Sequence, residues 1–321
     1  MKIIVTGATG FLGQRVCQKL KNSGYDVIAL GRNQKIGNRL GVPFIPLDLR
    51  NELKEPSIKG DAMIHCAALS SPWGSKTDFL QNNVVATENV IQACLENGIR
   101  RLIHVSTSSL YFDFNDRILI KETDPLPKSF ANHYAATKWL AEMAVDSAQG
   151  LETITIRPRG IYGPGDTVLF PRLLRANLKK GVPLFNNGEA IIDITYVDNV
   201  ADALILCVEA GDHCLGKKYN ITNDDPQVLY SLLEKVCDAT GHPLNTISIP
   251  FGIGYAIAAL LEGASSIFPI GEPLMTRYTL GLLAKSQTLD ITAAKRDLNY
   301  APKVSIEEGI QRFAKWWRNQ K

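Results

Sequence analysis

The chain has 321 residues, 45% hydrophobic and 21% charged, enough apolar content for one large or two modest domains around an ordinary core. Its 35 basic and 32 acidic residues leave a formal net charge of +3, too balanced for a nucleic-acid or anionic-membrane surface. The six cysteines, at 17, 66, 94, 207, 214 and 237, form no CxxC pair and no zinc-spaced Cys/His cluster. No disulfide framework and no metal are therefore expected, and a reducing compartment, the cytoplasm, is.

Lys2 to Thr6 (KIIVT) is a short apolar, strand-like run that argues against a signal peptide. A glycine-rich turn follows, then a helix over Phe11 to Lys21 with Leu12, Val16 and Leu20 on one face. Asp26 to Leu30 is the second strand. Strand-like units recur near 43–48, 62–67, 101–106 and 151–158, with helices over Asn83 to Asn97 and Ala131 to Ser147 between them. Near-continuous apolar strands alternating with helices predict a parallel sheet covered on both faces. After Pro158 the rhythm breaks at GIYGPGD. A helix over Leu169 to Lys180 and a strand and helix within ITYVDNVADALILCVEA follow, with Asp198 as N-cap. Residues 225–280 read as mainly helical, and an amphipathic helix capped at Ser305 ends the chain. The most apolar run, Phe251 to Phe268, contains Glu262 and glycines and reads as a core or pocket-lining helix, not a membrane span. The predicted fold class is α/β. A Rossmann doubly wound parallel sheet occupies 1–165, with 191–222 returning to it. A smaller, mainly helical substrate lobe from 166–190 and 223–321 is interleaved with it.

Two local patterns carry chemistry. TGATGFLG (Thr6 to Gly13) places Gly7, Gly10 and Gly13 between a strand and a helix. Gly7 permits the turn, Gly10 lets a pyrophosphate approach the backbone, and Gly13 allows close helix–strand packing. Thr9, Phe11 and Leu12 belong to the same dinucleotide-binding turn. At the end of the second strand Gly31 and Arg32 replace the acid that would hold an NAD ribose. NADP(H) is thus favoured over NAD(H), with Arg32 forked on a 2′-phosphate or stacked on adenine. The second pattern is HYAATKWLAE, where Tyr134 and Lys138 share a helix face. A free tyrosine has a pKa of about 10, and a neighbouring ammonium would lower it toward use as a proton-transfer group.

The chain resembles the extended short-chain dehydrogenases/reductases over nearly its whole length. The resemblance rests on GATGFLG, Asp48-Leu49, HCAA (65–68), NVVAT (83–87), VSTSSLY (105–111), YAATK and RPRGIYGPGD, in the family's order. It implies that Asp48 and Leu49 contact the adenine, that Ala67 and Ala68 lie along the cofactor, and that Pro158 to Ile161 border the nicotinamide. It implies catalytic roles for Tyr134, Lys138 and Thr107, with Ser108 as the alternative hydroxyl, and has Asn83 shape the active-site helix. Ser108 and Ser109 stand where dehydratases of the family carry an acid, and Ile192 stands where its nucleotide-sugar epimerases carry a phosphate-binding arginine. Arg172 or Arg175 would have to compensate.

SSPWGS (70–75), RPRGIYGPGDTVLFPRLL and IIDITYVDNVADA resemble the 3β-hydroxysteroid dehydrogenase-like branch, most closely its 2-alkyl-3-oxoalkanoate reductases. The implied activity is NADP(H)-dependent interconversion of a secondary alcohol and a ketone on a small hydrophobic substrate, a 3-oxo acid or a 3β-hydroxysteroid-like ring. The alternatives are a nucleotide-sugar epimerase and a non-catalytic NADP-binding sensor or scaffold. A homodimer through the two long helices is the family's common assembly. Trp73 reads as a pocket or surface residue, Arg159 as a salt-bridge partner or a contact for a substrate carboxylate, and His65 and His104 as satisfied core histidines.

Overall fold

The computed structural model describes residues 1–55, 57–267, 271–273 and 275–320; Phe268, the end of the apolar run noted above, lies outside them. Seven strands form the central sheet: β1 (Lys2–Thr6), β2 (Asp26–Gly31), β3 (Phe44–Pro46), β4 (Ala62–His65), β5 (Arg101–Val105), β6 (Glu152–Pro158) and β7 (Lys218–Ile221). Their spatial order is β7-β6-β5-β4-β1-β2-β3, and every pairing is parallel. The chain runs outward from β1 to β3 and then crosses to β4 on the other side. The crevice where this order reverses, at the carboxyl ends of β1 and β4, is where such sheets bind ligands.

Both faces of the sheet are buried, which is why the strands read as continuous apolar runs. Ile3 and Val5 point to one face and join Val16 and Leu20 of α1 (Phe11–Asn22). Ile4, between them, points to the other and joins Val90 and Cys94 of α2 (Ala86–Glu96) and Val145 of α3 (His133–Asp146). The sequence placed a regular helix from Asn83 onward. The structure instead begins at Lys76, and Leu80–Val85 is a π-helical turn leading into α2. Such wide turns are rare and concentrate at functional sites.

Asp198 is not the N-cap of α4 (Val197–Glu209). Tyr196 holds that position, without a side-chain cap. Asp198 lies in the first turn, where its carboxylate accepts two hydrogen bonds from Arg15, at 2.7 and 2.8 Å. An acid there favours the helix N-terminus just as a cap would, through the macrodipole. Ser305 caps the terminal helix as expected, accepting from the Glu308 amide at 3.1 Å.

The second lobe carries more strand than its sequence suggests. A four-stranded sheet joins Gln227–Val228, Ile191–Ile192, Gln287–Leu289 and Arg117–Ile120, so a segment from the first half of the chain pairs with the C-terminal lobe. The helix Phe251–Ile267 packs Gly254 and Ala258 inward, yet Ile253, Ile257 and Leu260 are exposed. It is half core and half surface, not a wholly buried segment. Among the described residues, no helix is long and apolar enough to cross a membrane, and no His/Cys/Asp/Glu cluster could hold a metal. All six cysteines are free.

Candidate active site

The glycine loop closes the crevice by contact. Gly7 has φ +64°, and a Cβ there would sit 2.6 Å from the Ala67 nitrogen; one at Gly13 would sit 2.2 Å from the Gly7 carbonyl oxygen. A Cβ at Gly10 would meet only the Gly7 carbonyl, at 3.2 Å, so that side of the loop is open. Gly10 is the N-cap of α1, with no side-chain cap and no acid in the first turn. Unmet amides, a positive dipole end and an open approach suit a pyrophosphate.

The same edge accommodates the rest of a dinucleotide. Gly31 is buried against Thr9, whose Oγ1 would be 3.0 Å from an added Cβ. No side chain at that position could carry a ribose-binding acid without displacing Thr9. Arg32 is exposed beside it, with one long contact from Nη1 to Asn82 Oδ1 at 3.4 Å. Arg50, which the sequence reading passed over, binds Asp48 through Nε, 3.0 Å from each carboxylate oxygen. That pairing, with Arg32 acting at longer range, holds the Asp48 carboxyl below its ordinary range. Two guanidinium groups thus stand at this edge. Leu49 is buried in the core beneath it, with Ala67 packed on the same cluster.

Next to the crevice, three loop ends converge. Tyr134 lies in the first turn of α3, set by Asn132, whose side chain accepts from the Ala135 amide at 2.8 Å. Its hydroxyl is within interaction range of Thr107, just past β5, and of Ser70, past β4. Burial raises the phenol above its ordinary value, while those two hydroxyls pull it down. Thr107 also accepts from the Ser109 amide at 3.1 Å and donates to the Ser109 hydroxyl at 3.0 Å. Ser109 in turn shares a 2.7 Å bond with the Tyr278 hydroxyl. A chain of three hydroxyls therefore runs Thr107, Ser109, Tyr278, with Tyr134 acting on its Thr107 end. Thr107, not Ser108, is the residue in this chain. Ser109 was visible in VSTSSLY only as a missing acid. Tyr278 comes from the distant helix Arg277–Ala284 and no local pattern marks it.

Lys138 is brought to the same helix face but turns into the sheet. Its ammonium donates to the Val105 carbonyl at 2.7 Å and lies 3.2 Å from His104 Nε2. Burial lowers it to about 8, against the opposing pull of Glu142 and Cys66. The predicted lowering of the Tyr134 pKa by Lys138 is not what this geometry shows: hydroxyl groups, not the ammonium, act on the phenol. His65 is a satisfied core histidine, bonded to Thr6 at 2.7 Å and Thr87 at 3.0 Å. His104 is only half satisfied, since its Nδ1 has no partner among the described residues.

Asn83, from the π-helical turn, is buried and holds the Ser70 loop. Its Oδ1 accepts from the Leu69 amide at 2.7 Å, and its Nδ2 donates to Thr137 on α3 at 3.1 Å. It is a positioning residue joining two of the converging elements. Trp73 is half-buried in the same loop, its carbonyl accepting from Ser71. Pro158 ends β6 buried, and Ile161 follows, half-buried in a two-residue pair with Thr195. Arg159, between them, is buried, yet among the described residues it forms no salt bridge. Its Nε donates to the Gln287 carbonyl at 3.2 Å.

A doubly wound sheet with a glycine cradle at its switch point, beside a Tyr–Thr hydroxyl pair, defines an NAD(P)-dependent oxidoreductase. The family model described as "NAD dependent epimerase/dehydratase family" matches residues 3–222, and the chain belongs to that family. It is 37% identical to a 2-alkyl-3-oxoalkanoate reductase of Stenotrophomonas maltophilia over 98% of each chain. It is 32% identical to the decarboxylating sterol-4-alpha-carboxylate 3-dehydrogenase of Mus musculus, over 97% of this chain and 89% of that one. These relatives support the 3β-hydroxysteroid dehydrogenase-like branch. The fold matches the UDP-glucuronic acid 4-epimerase of Bacillus cereus with a TM-score of 0.79 at 22% identity, covering 100% of this chain and 97% of that one.

Proposed function

We propose that the protein is an NADP(H)-dependent ketoreductase of hydrophobic 3-oxo acids. The observation that carries the reading is the placing of Tyr134 on α3 so that its hydroxyl interacts with Thr107 and Ser70, where β4 and β5 end beside the glycine cradle. The cofactor would be held by the Gly7–Gly13 loop, Ala67, Ala68, Asp48, Leu49, Pro158 and Ile161, with Arg32 on the 2′-phosphate. When bound it supplies the hydride. The chain's own residues deal with the oxygen. Thr107 hydrogen-bonds the carbonyl, and Tyr134 delivers a proton as charge develops on that oxygen. A phenol raised by burial is protonated at neutral pH, the state a donor needs for reduction. Asn83 positions the Ser70 loop, and Lys138 would turn from the Val105 carbonyl to reach the nicotinamide ribose.

The substrate class follows from the surroundings and from the relatives' names. A ladder of rings leads away from Tyr278: Phe112 at 5.6 Å, Phe114 at 5.0 Å from Phe112, and Tyr255 at 6.0 Å from Phe114. Phe114 and Tyr255 line an open cleft of about 530 Å³ that also includes Phe130 and Ala131, with Asp113, Lys128 and Arg277 as charged members. Its ring-lined wall suits an alkyl chain. A nucleotide sugar has less support. Ile192 is a strand residue with no charge to offer, Arg172 is paired with Glu272, and Arg175 Nε is bound to the Pro171 carbonyl. Exposed Leu95, Leu140 and Met143 on α2 and α3 fit a homodimer through those helices.

The test is NADPH consumption with a medium-chain 2-alkyl-3-oxoalkanoic acid, with NADH in parallel. Tyr134→Phe should lower kcat roughly 10²–10⁴-fold while the protein stays folded. An active Tyr134→Phe enzyme would sink the assigned role of the tyrosine. No consumption with either cofactor, or UDP-sugar interconversion without net cofactor turnover, would sink the reductase reading.

A further inference from the structure

The mouth of the site contains a buried cation that the protein itself leaves unpaired. Arg159 is 7% exposed. Among the described residues its side chain makes one hydrogen bond, from Nε to the Gln287 carbonyl, which leaves both terminal nitrogens without a partner. Asp193 is the nearby buried acid, but it lies beyond ion-pair range, and its Oδ2 accepts from the Leu289 amide at 2.7 Å. Burial of the guanidinium disfavours its charge, and Asp193 and Tyr278 only oppose that at a distance. Gln287 is 1% exposed, and both polar atoms of its side chain also lack partners among the described residues. Buried polar groups are almost always satisfied, and buried charges are paired. The Gln287 amide is sealed in the core, whereas the open terminal nitrogens of Arg159 point to a ligand that completes them.

The neighbours show which ligand. Arg159 acts electrostatically on Tyr278, and Tyr278 also feels Tyr134. Tyr278, on which the cation acts through space, is hydrogen-bonded through Ser109 to Thr107, which acts on the proton-donating hydroxyl. An anion at Arg159 is therefore held close to the reacting oxygen, on the same molecule. In a 3-oxo acid the carboxylate and the carbonyl are separated by a single carbon, which matches an anion subsite next to a carbonyl subsite. The planar fork of arginine suits a carboxylate in two-point contact.

We propose that Arg159, supported by Tyr278 and Gln287, is the carboxylate anchor that selects 3-oxo acids over neutral ketones and fixes the 3-oxo group against Thr107 and Tyr134. This rests on the ketoreductase reading and adds the residue that determines its specificity. It also explains the salt bridge that is missing at Arg159: the substrate supplies the acid.

The test separates binding from turnover. Calorimetric binding to wild type and to Arg159→Leu is measured for a 2-alkyl-3-hydroxyalkanoic acid and for the alcohol that lacks its carboxyl group. The expected result is a preference of about 100-fold for the acid in wild type, reduced to near one in Arg159→Leu and partly kept in Arg159→Lys. In parallel, kcat/KM for the 3-oxo acid should fall about 100-fold in Arg159→Leu, narrowing the acid-to-ketone ratio. Equal binding of acid and alcohol by wild type, or an acid preference that survives Arg159→Leu, overturns the anchor. Both outcomes leave the reductase reading standing if the oxo acid is still reduced. Preferential acid binding without any reduction would overturn the reductase reading and keep the anion site. Should Arg159→Leu not fold, the wild-type ratio and the lysine variant still decide.

Discussion

Arg157 and Arg159 stand two residues apart, one inside the sheet and one at its mouth, and they differ in every interaction. Arg157 meets Glu142 with two bonds, at 2.9 and 2.6 Å, and the Tyr111 hydroxyl at 2.7 Å, which continues to Asn220 at 2.9 Å. Both ionic side chains are almost wholly buried. That network is closed and needs nothing further. Among the described residues the Arg159 side chain has one bond, to a backbone carbonyl. The contrast separates a charge the fold has neutralised from a charge the fold keeps open. Burial alone would have classed the two together.

The largest effect expected from this contrast is on stability. Arg157→Leu leaves Glu142 ionised in the core without a partner and should cost about 3–5 kcal/mol. For a chain of this size that corresponds to a fall of roughly 4–7 °C in unfolding midpoint. Adding Glu142→Leu should recover most of the loss, because the pair is replaced and not broken. Arg159→Leu should cost far less, since no partner is orphaned. Urea melts of the four proteins check this; equal losses at 157 and 159 would break the comparison.

A second, smaller effect concerns Lys138, a charge the fold accepts at a cost. Burial lowers its ammonium from 10.5 to about 8. Between these values the unfolded chain holds a proton that the folded chain has released, so stability rises with pH across that window. Below pH 8 both states hold the proton and the cost of burying it is constant. Lys138→Met lacks this titration. Relative to that variant, wild type should gain on the order of 2–3 kcal/mol between pH 7.5 and 10. Chemical denaturation at the two pH values measures it; parallel behaviour of the two proteins would mean the ammonium is solvated in the free enzyme.

How much of this was legible in the sequence follows from which interactions are local. The glycine cradle was readable because Gly7, Gly10 and Gly13 act within one turn, and β1 through β6 because each is a short run of mostly apolar or β-branched residues. Tyr134 and Thr107 were readable through a resemblance, not through spacing. The π-helical turn was not, because a register shift at Leu80–Val85 leaves apolar periodicity almost unchanged. Tyr278, Gln287 and the strand Arg117–Ile120 reach the site or its lobe by long-range pairing, for which the sequence carries no local mark. The inward turn of Lys138 depends on the Val105 carbonyl and on His104, which pattern reading cannot place. Arg159 was visible as a residue, yet its missing partner is a property of the folded state alone.

The smallest expected effect lies at the cofactor edge, where the same contrast between committed and open arginines recurs in solvent. Arg50 is engaged by Asp48, whereas among the described residues the Arg32 side chain has one hydrogen bond, the 3.4 Å contact with Asn82. The open arginine is the one free to meet a 2′-phosphate. Arg32→Ala should raise the KM for NADPH about tenfold, near 1.4 kcal/mol, and move that for NADH little. Arg50→Ala should act more weakly, about threefold, because its charge is already shared with Asp48 and both groups are screened by water. Steady-state kinetics with the two cofactors measure both. If Arg50→Ala proved the stronger, openness would not predict ligand contact at an exposed edge. The rule drawn from Arg157 and Arg159 would then hold only where burial makes an unpaired charge costly.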